Sequence, residues 1–339
     1  MLDLTACLSK SVIGGYRPKQ GQRRLHTIKM RENNMAEFAR AFITGSPVDR
    51  SLSPYIHHYW LQFYNLKGSY EAVSTSEESF PRFLANIGQK GFCGGNIAAP
   101  HKEAALALVA RPTVEAASLG AVNMVWLEDG LLCGDNSNWQ GFIANLDEYA
   151  AGWPGKTALI LGAGPFIRAV IYALLQRGFT RLVLAGSTRE PLKALADFFQ
   201  SKTKARIEIC ALTNVNEVLP QAGLLVNTGG LAPAAASLFA GAVGDSPGQA
   251  EEAGIEPKPF DFMDFSRVKP GTIAAESVAQ ALPTPFLRAA AAAGLKTVDG
   301  LGMLLHQAAF GFERWFGQRP LVSPELRNYI AGIAARTSG

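Results

Sequence analysis

The chain has 339 residues, 48% of them hydrophobic and 18% charged, which suits about two domains of roughly 150 residues with buried cores and excludes a disordered chain. Thirty-two Lys and Arg against 28 Asp and Glu leave a net charge of +4. That charge is dispersed apart from one N-terminal cluster, so a nucleic-acid footprint is excluded and small molecules are the expected partners.

Residues 1–35 read as a flexible extension. Arg17, Lys19, Arg23, Arg24 and Lys29 fall in a segment with almost no apolar periodicity, and either a transit-type leader or a later start at Met30 or Met35 suits it. From Glu37 short apolar runs alternate with helix-length segments. Strands are expected at Ala41 to Thr44, Tyr70 to Val73, Gly95 to Ala98 and Met124 to Leu127, and helices at Pro54 to Tyr64, Phe80 to Ile87 and His101 to Ala110. A second cycle follows the breaker Trp153-Pro154-Gly155, with strands at Thr157 to Leu161, Arg181 to Ala185, Arg206 to Ile209 and Leu224 to Asn227. Helices at Phe166 to Arg177 and Pro191 to Gln200 complete it. The fold class is therefore α/β, with an N-terminal α/β lobe and a Rossmann-type, doubly wound second half. Ala232 to Gly254 reads as loop with one short helix.

The four cysteines, Cys7, Cys93, Cys133 and Cys210, form no CxxC pair, and no histidine stands at ligand spacing, so a reducing compartment and no structural metal are expected. The longest apolar stretches fall short of the ~20 residues of a membrane span. A cytoplasmic protein without membrane contact is expected, and a homodimer is compatible with the sequence without being required by it.

Leu159 to Ala169 runs a strand through Gly162-Ala163-Gly164-Pro165-Phe166 into a helix. Such glycines let a backbone approach a pyrophosphate, and the helix start supplies N–H groups and partial positive charge. Pro165 is expected at the first helical position, where it costs no helix bond but withdraws one donor. A plain tight strand-to-helix turn fits the same glycines. After the next strand, Ser187, Thr188 and Arg189 suit a ribose 2'-phosphate and favour NADP(H) over NAD(H), while Glu190 leaves NAD open. The same residues also suit a helix start, with Ser187 or Thr188 as cap and Pro191 in the first turn.

In Ser51-Leu52-Ser53-Pro54 an extended backbone would point both hydroxyls to one face as a carboxylate cradle; a helix cap at Ser53 and plain loop at Ser51 are the alternative. Lys102, in Ala99-Pro100-His101-Lys102-Glu103, falls in the first turn of a helix, whose positive end should lower the amine pKa toward that of a proton donor near neutrality. A solvated lysine beside Glu103 is the plainer alternative. His57, His58 and His306 read as packing or surface residues, and Phe310, Phe312, Trp315 and Phe316 as core. Trp139, Phe142, Leu146 and Tyr149 form a helical stripe between the lobes, and Asp261 and Asp264 fall in a solvated loop.

Together these segments resemble the shikimate dehydrogenase family over nearly all of Phe42 to Gly317. The matching stretches are Ser51-Leu52-Ser53-Pro54 with His57, Pro100-His101-Lys102, Gly120-Ala121-Val122-Asn123, Gly134-Asp135-Asn136-Ser137-Asn138, Gly162-Ala163-Gly164, Thr284-Pro285-Phe286-Leu287, and Gly302-Met303-Leu304 with Gln307. The resemblance implies a substrate domain beside a Rossmann domain, and reduction of 3-dehydroshikimate to shikimate, usually with NADPH, with relatives taking quinate or aminated analogues. It places 36–137 with 306–339 in the substrate domain and 138–305 in the nucleotide-binding domain, with hinges near Asn138 and Gly302. By position, Ser51 and Ser53 would bind the substrate carboxylate, Asn96, Asn123 and Gln307 its hydroxyls, and Lys102 would transfer the proton. Gly162, Ala163, Gly164, Pro165, Phe166, Ser187, Thr188, Arg189 and Asn227 would line the cofactor, with Gly302 and Met303 against its nicotinamide.

The departures make this a divergent member. The family's Asp that pairs with the catalytic Lys is Asn138, its Thr after the first Asn is Ala98, its Thr after the second is Met124, and its Asp-x-x-Tyr becomes Glu276-Ser277-Val278-Ala279. An Asn carries no charge to hold the ammonium, and lost hydroxyl partners favour a substrate with differently placed hydroxyls. The first reading is thus an NAD(P)-dependent dehydrogenase for a cyclic hydroxy acid, with Lys102 as acid/base, Asn138 as an uncharged orienting group, and altered or reduced activity. The second is a dinucleotide- or metabolite-binding paralogue with little or no catalysis.

Overall fold

A computed structural model describes residues 38–153, 156–231, 260–279 and 283–337. The expected extension at 1–35, the Pro154-Gly155 breaker and the expected loop at Ala232 to Gly254 lie outside the described residues.

The first sheet contains Ala39–Gly45 (β1), Gly68–Ser74 (β2), Gly94–Ile97 (β3), Arg111–Pro112 (β4), Met124–Glu128 (β5) and Leu131–Asp135 (β6), in the order β2-β1-β3-β5-β6-β4. β2, β1 and β3 run parallel, joined by helices Ser53–Phe63 (α1) and Phe80–Ala85 (α2). β5 and β6 form an antiparallel hairpin whose first strand pairs with β3. Lys102–Leu108 (α3) and Val114–Leu119 (α4) cross between β3 and β5. Neither β4, α4 nor β6 stands out as periodic sequence. α4 is six residues fixed by its ends: Thr113 accepts from the Ala116 N–H at 3.1 Å, and Gly120 closes it at φ 75°.

Asn138–Tyr149 (α5) leads to the second sheet: Thr157–Leu161 (β7), Arg181–Gly186 (β8), Arg206–Ala211 (β9), Leu224–Asn227 (β10), Ile273–Glu276 (β11) and Lys296–Val298 (β12). Its order is β12-β11-β10-β7-β8-β9 and every pairing is parallel. Ile167–Gln176 (α6), Arg189–Gln200 (α7), Val215–Val218 (α8) and Pro285–Ala292 (α9) lie along it. Alternation along β7 explains why both faces are covered: Ala158 and Ile160 join one buried cluster with α5, α6 and α7, while Leu159 and Leu161 join another with Phe286 and Leu287 of α9. The chain winds outward from β7 to β9, then returns to β10 on the other side, which leaves a crevice at the carboxyl ends of β7 and β10.

Leu301–Phe316 (α10) and Pro324–Thr337 (α11) end the described chain, and both pack with α1 around Ile56, Trp60, Leu305, Phe312 and Ile330. α10 also packs closely along α5, and two glycines make that possible. A Cβ on Gly141 would meet the Met303 carbonyl at 2.6 Å, and one on Gly302 the Asn145 Oδ1 at 1.8 Å. Gly302 is therefore inside a packed helix rather than in a linker.

Two local expectations are corrected. Leu52 adopts φ −79° and ψ −12°, so Ser51 and Ser53 are not on one extended face. Instead Ser51 Oγ accepts from the Ser53 N–H at 3.2 Å, because the chain is already turning into α1. Pro165 precedes α6, which starts at Ile167 with Phe166 before it. Asp264 is exposed in the loop expected of it, where it accepts from the Ser266 N–H at 3.1 Å ahead of a short 3-10 turn.

Candidate active site

The carboxyl ends of β3 and β6, the start of α5 and the middle of α10 bring a set of amides together. Asn123 sits at its centre. Its Nδ2 donates to Asn138 Oδ1 at 3.0 Å and Gln307 Oε1 at 3.2 Å, while its Oδ1 accepts from the Ser137 N–H at 2.8 Å. Asn96 Nδ2 donates to the Asn123 carbonyl at 3.1 Å, and its Oδ1 accepts from the Tyr70 phenol at 2.6 Å. Ser53, Asn96, Asn123, Asn138 and Gln307 are all buried. A buried amide costs free energy unless paired, so this mutual pairing fixes which way each one points. Ser51 is half-buried at the edge of the set.

Tyr70 is a residue the sequence reasoning missed. It is buried on the inward face of β2, and burial pushes its phenol well above the ordinary value, with Ser53 opposing the shift. The period-two alternation of β2 was the available signal. The turn before Lys102 was expected, but the partners of His101 in it were not. His101 Nε2 lies 2.8 Å from the Thr75 carbonyl and 3.1 Å from its hydroxyl, Thr75 pairs with Thr44 at 2.7 Å, and the imidazole stacks on Phe80. These contacts clamp the start of α3 to the ends of β1 and β2.

Lys102 reaches from that clamped start toward the second sheet. Its Nζ donates to the Pro165 carbonyl at 3.4 Å and stands 4.4 Å from the centre of the Phe166 ring. The amine and the glycine turn therefore face one crevice. Desolvation lowers the Lys102 pKa from 10.5 to about 8. Loss of water around the half-buried amine is the physical cause of the shift. No hydrogen bond joins Lys102 to Asn138 among the described residues; Asn138 is held by Asn123 and by Asn136, whose Oδ1 accepts its N–H at 3.1 Å.

Beside Lys102, Arg168 of α6 grips the Glu103 carboxylate through Nε at 3.2 Å and Nη2 at 3.1 Å, and donates to the Leu119 carbonyl at 3.3 Å. The Arg168 guanidinium also lies 4.8 Å from the Phe198 ring centre, and Lys202 donates to the Ser118 carbonyl at 3.1 Å. α3 and α4 are thus fastened to α6 and α7 next to the crevice mouth.

The glycine turn fits a dinucleotide in part. Gly162 has φ 82°, and a Cβ there would lie 1.9 Å from the Gly229 carbonyl; one on Gly164 would lie 1.8 Å from that of Thr228. The glycines are required by the close approach of the β10 end, whatever else they bind. The Gly162 N–H donates to Ala185, that of Gly164 faces the Thr228 hydroxyl at 3.4 Å, and that of Ile167 donates to Gly164. With Pro165 lacking an N–H, the turn offers an anion at most the amides of exposed Ala163 and of Phe166.

Past β8, Ser187, Thr188 and Arg189 are exposed. Thr188 precedes α7 without a side-chain cap bond. Gly186, Ser187 and Arg189 line a cleft of about 270 Å³ with Cys210 and Thr213 of the neighbouring strand end. Asn227 is turned inward: its Nδ2 donates to the buried Glu276 carboxylate at 2.7 Å, and its Oδ1 accepts from the Gly229 N–H. Glu276 also accepts from Thr284 at 3.0 Å, and burial raises its pKa. Met303 is buried in the core shared by α5 and α6.

Three family models match in succession: the shikimate dehydrogenase substrate binding domain over residues 43–125, shikimate / quinate 5-dehydrogenase over 146–232, and the shikimate 5'-dehydrogenase C-terminal domain over 300–324. A shikimate dehydrogenase (NADP(+)) of Bartonella henselae is 43% identical over 86% of this chain and 92% of its own length. One from Sinorhizobium fredii is 43% identical over 89% and 97%. The shikimate 5-dehydrogenase of Thermus thermophilus, solved in complex with NADP(H) and shikimate, superposes with a TM-score of 0.67 at 32% identity, covering 88% of this chain and all of that one. With the amide cluster, the amine and the glycine turn gathered at one crevice, and these relatives matched along most of its length, the chain belongs to the shikimate dehydrogenase family.

Proposed function

We propose that the protein is an NADP(H)-dependent oxidoreductase that interconverts 3-dehydroshikimate and shikimate, or a closely related cyclic hydroxy acid such as quinate, at a rate reduced by Asn138. The observation that carries this reading is the 3.4 Å approach of Lys102 Nζ to the Pro165 carbonyl, which sets a proton donor beside the nucleotide-type turn. NADP(H) supplies a hydride when bound; the turn at Gly162 to Phe166 would hold its phosphates, and Ser187, Thr188 and Arg189 a 2'-phosphate, with Asn227, Gly302 and Met303 shaping the walls. Ser51 and Ser53 would take the substrate carboxylate. Asn96, Asn123 and Gln307 would orient its hydroxyls, exchanging some of their mutual bonds for bonds to the ligand.

In the reducing direction the Lys102 ammonium gives a proton to the carbonyl oxygen as the carbon is reduced; in the oxidising direction the free amine takes the hydroxyl proton. A pKa of about 8 leaves both forms available near neutrality. Asn138 orients Asn123 without adding charge, so the amine lacks the attraction a carboxylate would give.

Nicotinamide absorbance, followed with NADPH or NADH against 3-dehydroshikimate and with the oxidised cofactors against shikimate and quinate, tests this. Turnover that favours NADP(H) and is lost in Lys102→Met supports it. Tight cofactor binding with no turnover of any of these acids overturns it in favour of the second reading, a binding paralogue, which Asn138 and the donor-poor turn at Pro165 favour.

A further inference from the structure

Lys102 is held from two directions by one turn of the second sheet. Its ammonium points at the Pro165 carbonyl and stands over the face of Phe166, whose ring is half-buried and packed against the core under α6. The charged groups nearby are otherwise engaged. Glu103, on α3 itself, is bound through both oxygens to Arg168 of α6, and Asp135 at the end of β6 accepts from the Thr113 hydroxyl at 2.6 Å and the Asn136 N–H at 2.7 Å. From α5 and α10 come the neutral Asn138 and Gln307, both bonded to Asn123. Among the described residues no carboxylate hydrogen-bonds the amine.

The geometry points to Phe166 as a positioning residue for Lys102: its ring face, with the adjoining Pro165 carbonyl, supplies the attraction that a carboxylate on α5 does not, and ties the amine to the nucleotide-side turn. Its catalytic meaning rests on Lys102 being the proton-transfer group; the attraction between ring and ammonium does not. An aromatic face attracts an ammonium through the ring quadrupole, and more strongly where water is thinned out. The ring therefore favours the charged amine in a crevice whose desolvation disfavours it.

Two kinds of substitution separate the ring face from mere bulk. Phe166→Leu and Phe166→Met keep an apolar side chain over the amine without a π face; Phe166→Tyr keeps the face. The ringless variants should lower the Lys102 pKa by about 0.5 to 1 pH unit, and Phe166→Tyr should leave it in place. One readout is the alkaline limb of kcat/KM for reduction. The other does not need turnover: the pH dependence of acetic anhydride labelling at Lys102 Nζ, quantified by mass spectrometry in the full chain. Ringless variants that shift both limbs, or the labelling limb alone if the protein proves inactive, support the role of Phe166; the latter result sinks the oxidoreductase reading while leaving this one standing. Coincident labelling profiles in the wild type and all three variants, or equal shifts in Phe166→Tyr and Phe166→Leu, overturn it. If Phe166→Leu does not fold, Phe166→Met carries the comparison.

Discussion

Asn123 Nδ2 lies 3.0 Å from Asn138 Oδ1, in a cluster where the same amide also reaches Gln307. Asn138 thus serves Asn123 as an acceptor, but with an Nδ2 donor and no charge where the resemblance implies a carboxylate. Asn138→Asp should keep the bond to Asn123 and add a negative charge on the Lys102 side of the site. Turnover of shikimate with NADP+ is expected to rise at least about tenfold, since positioned acid/base partners contribute on the order of 100-fold or more. An unchanged steady-state rate would overturn the proposal that Asn138 slows turnover.

If Lys102 transfers the proton as proposed, it sets the pH dependence. Reduction needs the ammonium, so kcat/KM for 3-dehydroshikimate should be flat below about pH 8 and fall above it; oxidation needs the free amine and should rise toward pH 8 and then level off. The two limbs should cross near one pH in rate profiles at constant ionic strength. In Asn138→Asp both should move up, because a carboxylate near the amine favours its charged form. Profiles with no inflection between pH 7 and 9 would remove Lys102 from the proton step.

Arg168 fastens α6 to α3 and α4 through three hydrogen bonds, but the contribution of its ion pair is limited by solvent. The Glu103 side chain is 66% exposed, and exposed pairs are worth about 0 to 1 kcal/mol. Glu103→Gln should therefore shift Tm by no more than about 3 °C. Arg168→Ala also removes the Leu119 bond and the stacking on Phe198, and should raise the cofactor KM roughly fivefold to tenfold, on the order of 1 kcal/mol lost from the clasp. Added salt should weaken wild-type cofactor binding more than that of Arg168→Ala. Equal KM values for the two proteins would show that the clasp does not bear on the crevice.

The alternating strands and helices of both sheets were legible because each long element buries a face of fixed period, as Leu159 and Ile160 do on opposite sides of β7. The short pieces were not. β4 is two residues long and α4 depends on Thr113 and Gly120 at its ends, so neither carries a period to read. At the site, Lys102 and the glycine turn were visible as residue types in a local pattern. The pairing of Tyr70 with Asn96 and of His101 with Thr75 joins positions 26 residues apart, and only the fold brings them together. The bond from the Asn227 amide to the buried Glu276 likewise spans 49 residues and is shown only by the fold. The desolvation of Lys102 was not legible either, because it belongs to the crevice, which no local sequence describes.

His57 predicts how the fold responds to acid. Its ring is fully buried between Tyr70, stacked at 3.9 Å, and the aromatic residues of α10, and neither ring nitrogen has a hydrogen-bond partner among the described residues. Burial, with His58 adding to it, lowers the His57 pKa from 6.5 to about 3. Between those values the unfolded chain binds a proton that the folded chain refuses, so stability falls as pH drops from about 6.5 toward 3 and is unaffected by this group above about 7. The full effect is at most about 5 kcal/mol at 1.4 kcal/mol per unit. His57→Phe removes the titration and two unpaired nitrogens while retaining a ring to stack on Tyr70. Urea unfolding should give similar stabilities for the two proteins at pH 7.5, within about 1 kcal/mol, but a shallower loss for the variant down to pH 4. Parallel stability curves over that range would assign the acid sensitivity to other groups and show that His57 meets its proton in the folded chain.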